Sequence, residues 1–160
     1  MARRAVPDPA IGSATKEIYA LGHKSEAEAQ RVMGMQAWVG ATNRTTRFPP
    51  DTDPALLAWY EQEFARNRAD VQMAMSRLLY GASAAPFLPR IAAPVLGLYP
   101  TAGPITSAEQ EQQLIANIRN LRMVHLPTSF HKVQLLFPAG CANHLLHFAA
   151  QHDGAVCREN

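Results

Sequence analysis

Cysteine is scarce: Cys141 and Cys157 are the only two in 160 residues, too few for a disulfide framework, so a reducing, cytoplasmic setting is expected. No run of about 18 apolar residues occurs, which excludes a membrane-spanning helix. The opening MARRAVPDPAIG carries two arginines with no apolar block behind them, so no signal peptide is expected. Charge of one sign is also lacking. A net charge of +2 and the absence of a basic run interleaved with aromatics argue against nucleic acid as a partner. No internal repeat or low-complexity tract is visible. What remains is a chain 48% apolar and 18% charged, long enough to bury a core and expected to be soluble and globular.

The first half reads as helices. Residues 1–14, with Pro7, Pro9 and Gly12, are expected to be irregular, and a short helix is expected from Thr15 to Leu21, stopped by Gly22. Ser25 and Glu28 have the spacing of a capping box, opening a helix whose apolar face would carry Val32, Met35, Trp38 and Val39, with a possible break at Gly34. Residues 40–52 read as a loop punctuated by Pro49 and Pro50. Asp53 before Pro54 gives an N-cap followed by a first-turn proline. A long helix is expected from there to Gly81, striped by Leu57, Tyr60, Phe64, Val71, Met75 and Leu78. The stripe suits helix packing better than a substrate pocket. Residues 81–89 form a small-residue linker.

The second half changes period. Pro94–Tyr99 is a nearly continuous apolar run, as in a strand buried on both faces. Ser107 and Gln110 repeat the capping-box spacing and open a helix that stops near Asn120; Leu121–Leu126 is a second strand. A strand, a dozen helical residues and a strand spell a right-handed βαβ unit with a parallel pair. A last amphipathic helix is expected over 139–151, with Gly154 after it.

In order and spacing this half resembles the C-terminal end of the α/β-hydrolase superfamily. Pro94, the run Val95–Tyr99, the helix after Ser107, the strand ending Leu126-Pro127 and His131 follow the family's sequence of strand, turn, helix, strand and histidine loop. Pro138 comes seven residues after His131 and Phe148 ten after that, similar to the family's proline and aromatic anchor. The resemblance covers roughly residues 86–152. It implies an α/β fold class: a partial α/β-hydrolase-like fold, with a helical cap-like part over 1–85 and a βαβα core portion over 86–160. It also implies that His131 is the catalytic histidine.

Three departures accompany it. The turn residue matching the family's acid is Gly103, 28 residues before His131, so the register is kept and the carboxylate is missing. By analogy with serine proteases, losing that acid costs about four orders of magnitude in rate. The residue before the histidine is Phe130 in place of the usual glycine. Finally, no G-x-S-x-G elbow on a strand, no oxyanion-hole loop and no early strands are present. Gly81-Ala82-Ser83-Ala84-Ala85 is only superficially an elbow, because a helix precedes it and prolines follow.

Two parallel strands leave bare edges, so association with itself or with a second chain completing the sheet is expected. Other candidates have plainer readings. Cys141, His144 and His147 at C-x2-H-x2-H are possible zinc ligands, but three-residue steps fan them around the helix, and exposed histidines are the favoured reading. No metal and no cofactor is expected. His125, within the second strand, reads as a hydrogen-bonded structural residue, and Glu17, Glu26, Glu28, Glu61 and Glu63 as solvated helix faces. The expected function is one portion of a hydrolase of esters, lactones or similar small molecules, active only with a partner's nucleophile; the alternative is a non-catalytic binding or assembly module of the same fold.

Overall fold

Capping chemistry starts the helices where the sequence places it. In the computed structural model, which describes residues 9–105 and 107–153, the Asp53 carboxylate accepts from Ala55 N at 2.8 Å, and Pro54 opens its helix. At Ser107 both bonds of the capping box form, Ser107 Oγ from Gln110 N and Gln110 Oε1 from Ser107 N, each 3.2 Å. At Ser25 only half of the box forms. Ser25 Oγ accepts from Glu28 N at 3.2 Å, while Glu28 reaches one residue further back, to Lys24 N at 2.8 Å.

The chain divides into two compact units, Met1–Ser83 and Ala84–Asn160. The first contains α1 (Pro9–Ala20), α2 (Glu26–Met33), α3 (Met35–Thr42), a π-helical turn (Asn43–Arg47), α4 (Pro54–Ala65) and α5 (Ala69–Gly81). Gly34, at φ +79°, breaks the run between α2 and α3 as expected. Trp38, Val39 and Ala29 form the core, with Tyr19, Met35, Tyr60 and Phe64 packed against it. Trp38 Nε1 donates to Tyr19 O at 2.8 Å, tying α3 to the end of α1.

Several expectations for this unit are corrected. Helix α1 begins at Pro9, so part of the supposed irregular lead-in is helical; residues 1–8, the stop at Gly154 and Cys157 lie outside the described residues. Residues 40–47 are helical, not loop. Thr42 Oγ1 bonds back to Trp38 O at 3.0 Å and Thr46 Oγ1 to Thr42 O at 3.0 Å, so polar side chains are satisfied inside the helix, and Phe48 N closes the π turn on Asn43 O at 3.0 Å. The long helix over 53–81 is two helices. Asn67 turns both its backbone and its side-chain N–H onto Phe64 O, at 3.1 and 2.8 Å, ending α4 before Arg68. Val32 faces solvent at 59% exposure, and on α5 Val71, Met75 and Leu78 are also exposed. Glu26 is buried, not solvated: Gln30 Nε2 donates to it at 2.9 Å and Ser76 Oγ at 3.0 Å, linking α2 to α5.

The second unit begins with a 3-10 turn, Ala85–Arg90, which takes up the second half of the segment expected as a linker and one residue beyond it. It continues through β1 (Val95–Pro100), α6 (Ala108–Asn117), β2 (Leu121–Leu126), α7 (Val133–Leu136) and α8 (Pro138–Gln151). The strands pair in parallel, with Val95 opposite Leu121 and Pro100 opposite Leu126. The fold is therefore a partial α/β fold: a helical part followed by a parallel βαβα unit.

Side chains alternate across this sheet. Leu98 and Leu126 pack with Val133 and Cys141 of α7 and α8, whereas Tyr99 and His125 face Glu111 of α6. Burial on both faces of β1 is only partial, since its residues before Pro100 are half-buried; two strands and short helices cannot enclose a sheet fully. Leu145 and Leu146 of α8 and Ile115 of α6 remain exposed.

Candidate functional site

In a parallel sheet, the loops leaving the carboxyl ends of adjacent strands come together. Here those are the segments after Pro100 and after Leu126. Thr101 N donates to both Leu126 O and Thr128 O, at 3.1 and 3.0 Å, and Thr101 Oγ1 donates to Thr128 O at 3.1 Å. Thr128 also accepts from Phe130 N at 3.1 Å, which turns the chain into His131. A three-residue stitch thus holds the β1 turn against the histidine loop.

Gly103 sits inside that stitch. Its φ is +155°, and a Cβ built there would lie 2.8 Å from Ser129 O. The position matched to a carboxylate in sequence thus comes beside the histidine loop but is closed to any side chain. His131 itself is exposed, and Lys132, beside it, leads into α7.

A second set of polar groups lies near the ends of the same strands. Glu111 Oε1 is 2.8 Å from His125 Nε2, and Tyr99 is the register partner of His125. Burial pushes the Tyr99 phenol up from its ordinary value, and the Glu111 charge adds to the shift. His125 is accordingly a hydrogen-bonded residue joining α6 to β2. Sequence reasoning missed the grouping with Glu111 and Tyr99, although Tyr99 and His125, at the carboxyl ends of the two expected strands, were a usable signal.

The remaining candidates do not converge. Ser83 is exposed, beyond the end of α5. Cys141 is buried, with its Sγ 3.6 Å from Val133 O, whereas His147 on the same helix is exposed. Among the described residues no group of three or more His, Cys, Asp or Glu side chains is placed to hold a metal ion. No described helix is long and apolar enough to cross a membrane. The helical unit carries its own cleft of about 680 Å³, with Met73 and Ala20 on its walls, Lys16 and Arg77 among its charged groups and the buried Glu26 among its lining residues.

No family model matches the chain. No curated protein matches it. Among solved structures it is similar in fold to a hydrolase from Pseudomonas aeruginosa PA01, with a TM-score of 0.59 and 20% identity, over 88% of this chain and 50% of that one. The chain spans about half the length of the structure it matches. At this identity the likeness concerns the fold.

Proposed function

We propose that this chain is one portion of an α/β-hydrolase acting on esters, lactones or similar small molecules, complete only when a partner supplies the nucleophile and oxyanion hole. The observation that carries the reading is the stitch at Thr101 and Thr128, which puts Gly103 against Ser129, two residues before His131. The hydrolase-like fold supports it. In this reading His131 takes the proton of the partner's serine hydroxyl as that oxygen attacks the carbonyl, then delivers it to the leaving alkoxide. Water next attacks the acyl ester, gives its proton to His131, and the serine regains a proton from the imidazolium. Neither metal nor cofactor enters the scheme.

A second copy or a different chain adds strands to the two-stranded sheet; the nucleophile and oxyanion hole come from a different chain, since this sequence carries no elbow. Light scattering coupled to size exclusion tests this; a chain that stays monomeric and folded on dilution refutes it. Turnover of a nitrophenyl ester by the assembled complex, with and without His131→Ala, tests the mechanism. Unchanged turnover removes His131 from it.

A second reading, a non-catalytic binding or assembly module of the same fold, is favoured by Gly103. The backbone contact there leaves no room for a carboxylate from that position to orient the imidazole. Ligand-induced thermal shifts without turnover, in any assembly state, would select it.

A further inference from the structure

Strand β1 reads nearly the same from either end. Gly97 lies at its centre, flanked by Leu96 and Leu98, then by Val95 and Tyr99, then by Pro94 and Pro100. Only one of its edges is used. Val95 N donates to Asn120 O at 2.9 Å and Thr101 N to Leu126 O at 3.1 Å, so the odd-numbered residues turn their backbone groups toward β2 and the even-numbered ones away from it. On the outer edge, Leu96 and Leu98 each present an N–H and a C=O that nothing among the described residues meets. Pro94 and Pro100 fall on this same edge, where a missing N–H costs no bond to β2.

The two strands differ in how they treat their outer edges. Strand β2 carries Arg122 and His125, both exposed and both tied to flanking helices: Arg122 Nη1 donates to Gln151 Oε1 at 3.3 Å, and His125 Nε2 lies 2.8 Å from Glu111 Oε1. Charge of that kind blunts an edge strand against further pairing. No charge protects β1, whose residues before Pro100 are apolar and half-buried and whose prolines stand only at its two ends. Apolar side chains on the helices of both layers, Leu145 and Leu146 of α8 and Ile115 of α6, are exposed as well. The open edge of β1 therefore suits a strand that is apolar on both of its faces.

We infer that β1 pairs with β1 of a second copy, antiparallel and about a two-fold axis at Gly97, giving a continuous four-stranded sheet. A two-fold contact demands a self-complementary edge, and the symmetric strand supplies one. Leu96 faces Leu98 of the second copy and exchanges both backbone bonds with it, and Leu98 does the same with Leu96, so every free N–H on the two edges is satisfied. Val95 faces Tyr99 of the second copy, twice over, a β-branched and aromatic pair of the kind that stabilises antiparallel strands. The two Gly97 residues meet in a closely spaced pair with no side chains to clash, and Met123 of β2 occupies the space a Cβ at Gly97 would take. The prolines face each other and end the ladder. Slipped by two residues, a leucine faces proline and loses one of its two bonds, and Val95 or Tyr99 faces glycine. The inference goes beyond the hydrolase reading: it stands whether or not His131 is catalytic, and a chain bringing a nucleophile is a separate partner.

Light scattering of the full chain should approach twice the chain mass as concentration rises. The register is read with the double variant V95C/Y99C. Closely spaced antiparallel neighbours hold their Cα atoms about 4.5 Å apart, within disulfide reach, whereas positions 95 and 99 of one chain are about 13 Å apart. Mild oxidation should therefore join position 95 of one copy to position 99 of the other, as mapped by peptide mass spectrometry, and neither V95C nor Y99C alone should cross-link to itself. Leu96→Pro removes one outer-edge N–H per copy without touching the bonds to β2, and should weaken the dimer at least tenfold. Hydrogen exchange at Thr101 N checks that β1 and β2 stay paired in that variant. A wild-type chain that is monomeric at every concentration overturns the inference. So does a dimer in which the V95C/Y99C bond fails to form between copies, or one that L96P leaves at wild-type strength with β1 and β2 still paired. A dimer of the wrong register leaves the ester assay at His131 standing, so the two readings fail separately.

Discussion

Gly103→Ala tests whether the approach of the two loops leaves room for a side chain. Two contributions oppose the added methyl. A φ of +155° lies in space that residues with a Cβ rarely occupy, which costs about 1–3 kcal/mol. The Cβ would also come 2.8 Å from Ser129 O, whereas carbon and oxygen normally meet at about 3.3 Å or more. One loop must retreat by about half an ångström. The atoms that would move are those held by the Thr101–Leu126 and Thr101–Thr128 bonds, so the retreat loosens the stitch, an overpacking effect of about 1–3 kcal/mol. Together the loss is about 2–6 kcal/mol, a large share of what a small domain possesses.

The probe must report on the second unit, and tryptophan fluorescence does not, because Trp38 and Trp59 both belong to the first. Native-state hydrogen exchange at Thr101 N and along β1 and β2 reads it directly. Faster exchange throughout the strand pair, equivalent to at least about 2 kcal/mol, is expected for Gly103→Ala and again for Gly103→Asp. A change below about 0.5 kcal/mol would refute the claim that Gly103 is closed to side chains, since effects of that size are typical of unconstrained surface positions.

Glu111 and Tyr99 set a pH dependence. A phenol pKa raised by folding contributes stability that is fully present below the ordinary value of 10.0 and is lost as pH rises from there through the folded value. Glu111→Gln removes the smaller cause and leaves burial, so ultraviolet titration should place Tyr99 closer to, but still above, the ordinary value. The same variant removes the charge from the contact to His125 while keeping an acceptor oxygen there; with both side chains partly exposed, the loss at neutral pH should stay within about 1 kcal/mol in a urea melt. Ser107→Ala removes the hydroxyl from a complete capping box and should cost about 1 kcal/mol, read as faster exchange in the first turn of α6.

Local rules carried much of this fold into view from sequence. Asp53-Pro54, the Ser107 box, the Gly34 break and the strand over Leu121–Leu126 depend on neighbours a few residues away, and each forms where its spacing places it. Two of the misreadings share one cause: polar residues taken as solvent-facing turn out to be satisfied by partners far off in the chain or by an unusual helical turn. Glu26 is buried because Ser76, fifty residues later, meets it. Thr42, Asn43, Thr46 and Arg47 read as loop because their side chains are polar, and their burial depends on back-bonding to α3 and on rings from Tyr19 and Phe64. The apolar stripe beyond Phe64 failed for a different reason. Asn67 ended α4, and Val71, Met75 and Leu78 on the next helix no longer continued the face that Tyr60 and Phe64 bury.

The second unit shows how strand pairing can fix a local arrangement without completing a fold. Register alone puts Pro100 opposite Leu126, and the first residue past Pro100 then bonds the chain around Leu126 and Thr128. The proximity of Gly103 and Ser129 follows from that pairing, since three residues past a shared strand end leave little room to diverge. No side chain at 103 is needed for the approach, and the approach is what bars one. An acid for His131 would therefore have to enter from another segment or another chain, and its arrival would have to leave the Thr101 stitch intact. Thr101→Val separates those requirements. It deletes the Oγ1 bond to Thr128 O while keeping both bonds of Thr101 N, so the strand pair should lose about 1 kcal/mol with β1 and β2 still aligned. A variant whose β1–β2 exchange rises as far as that of Gly103→Ala would show instead that the hydroxyl, and not the strand register, positions the histidine loop.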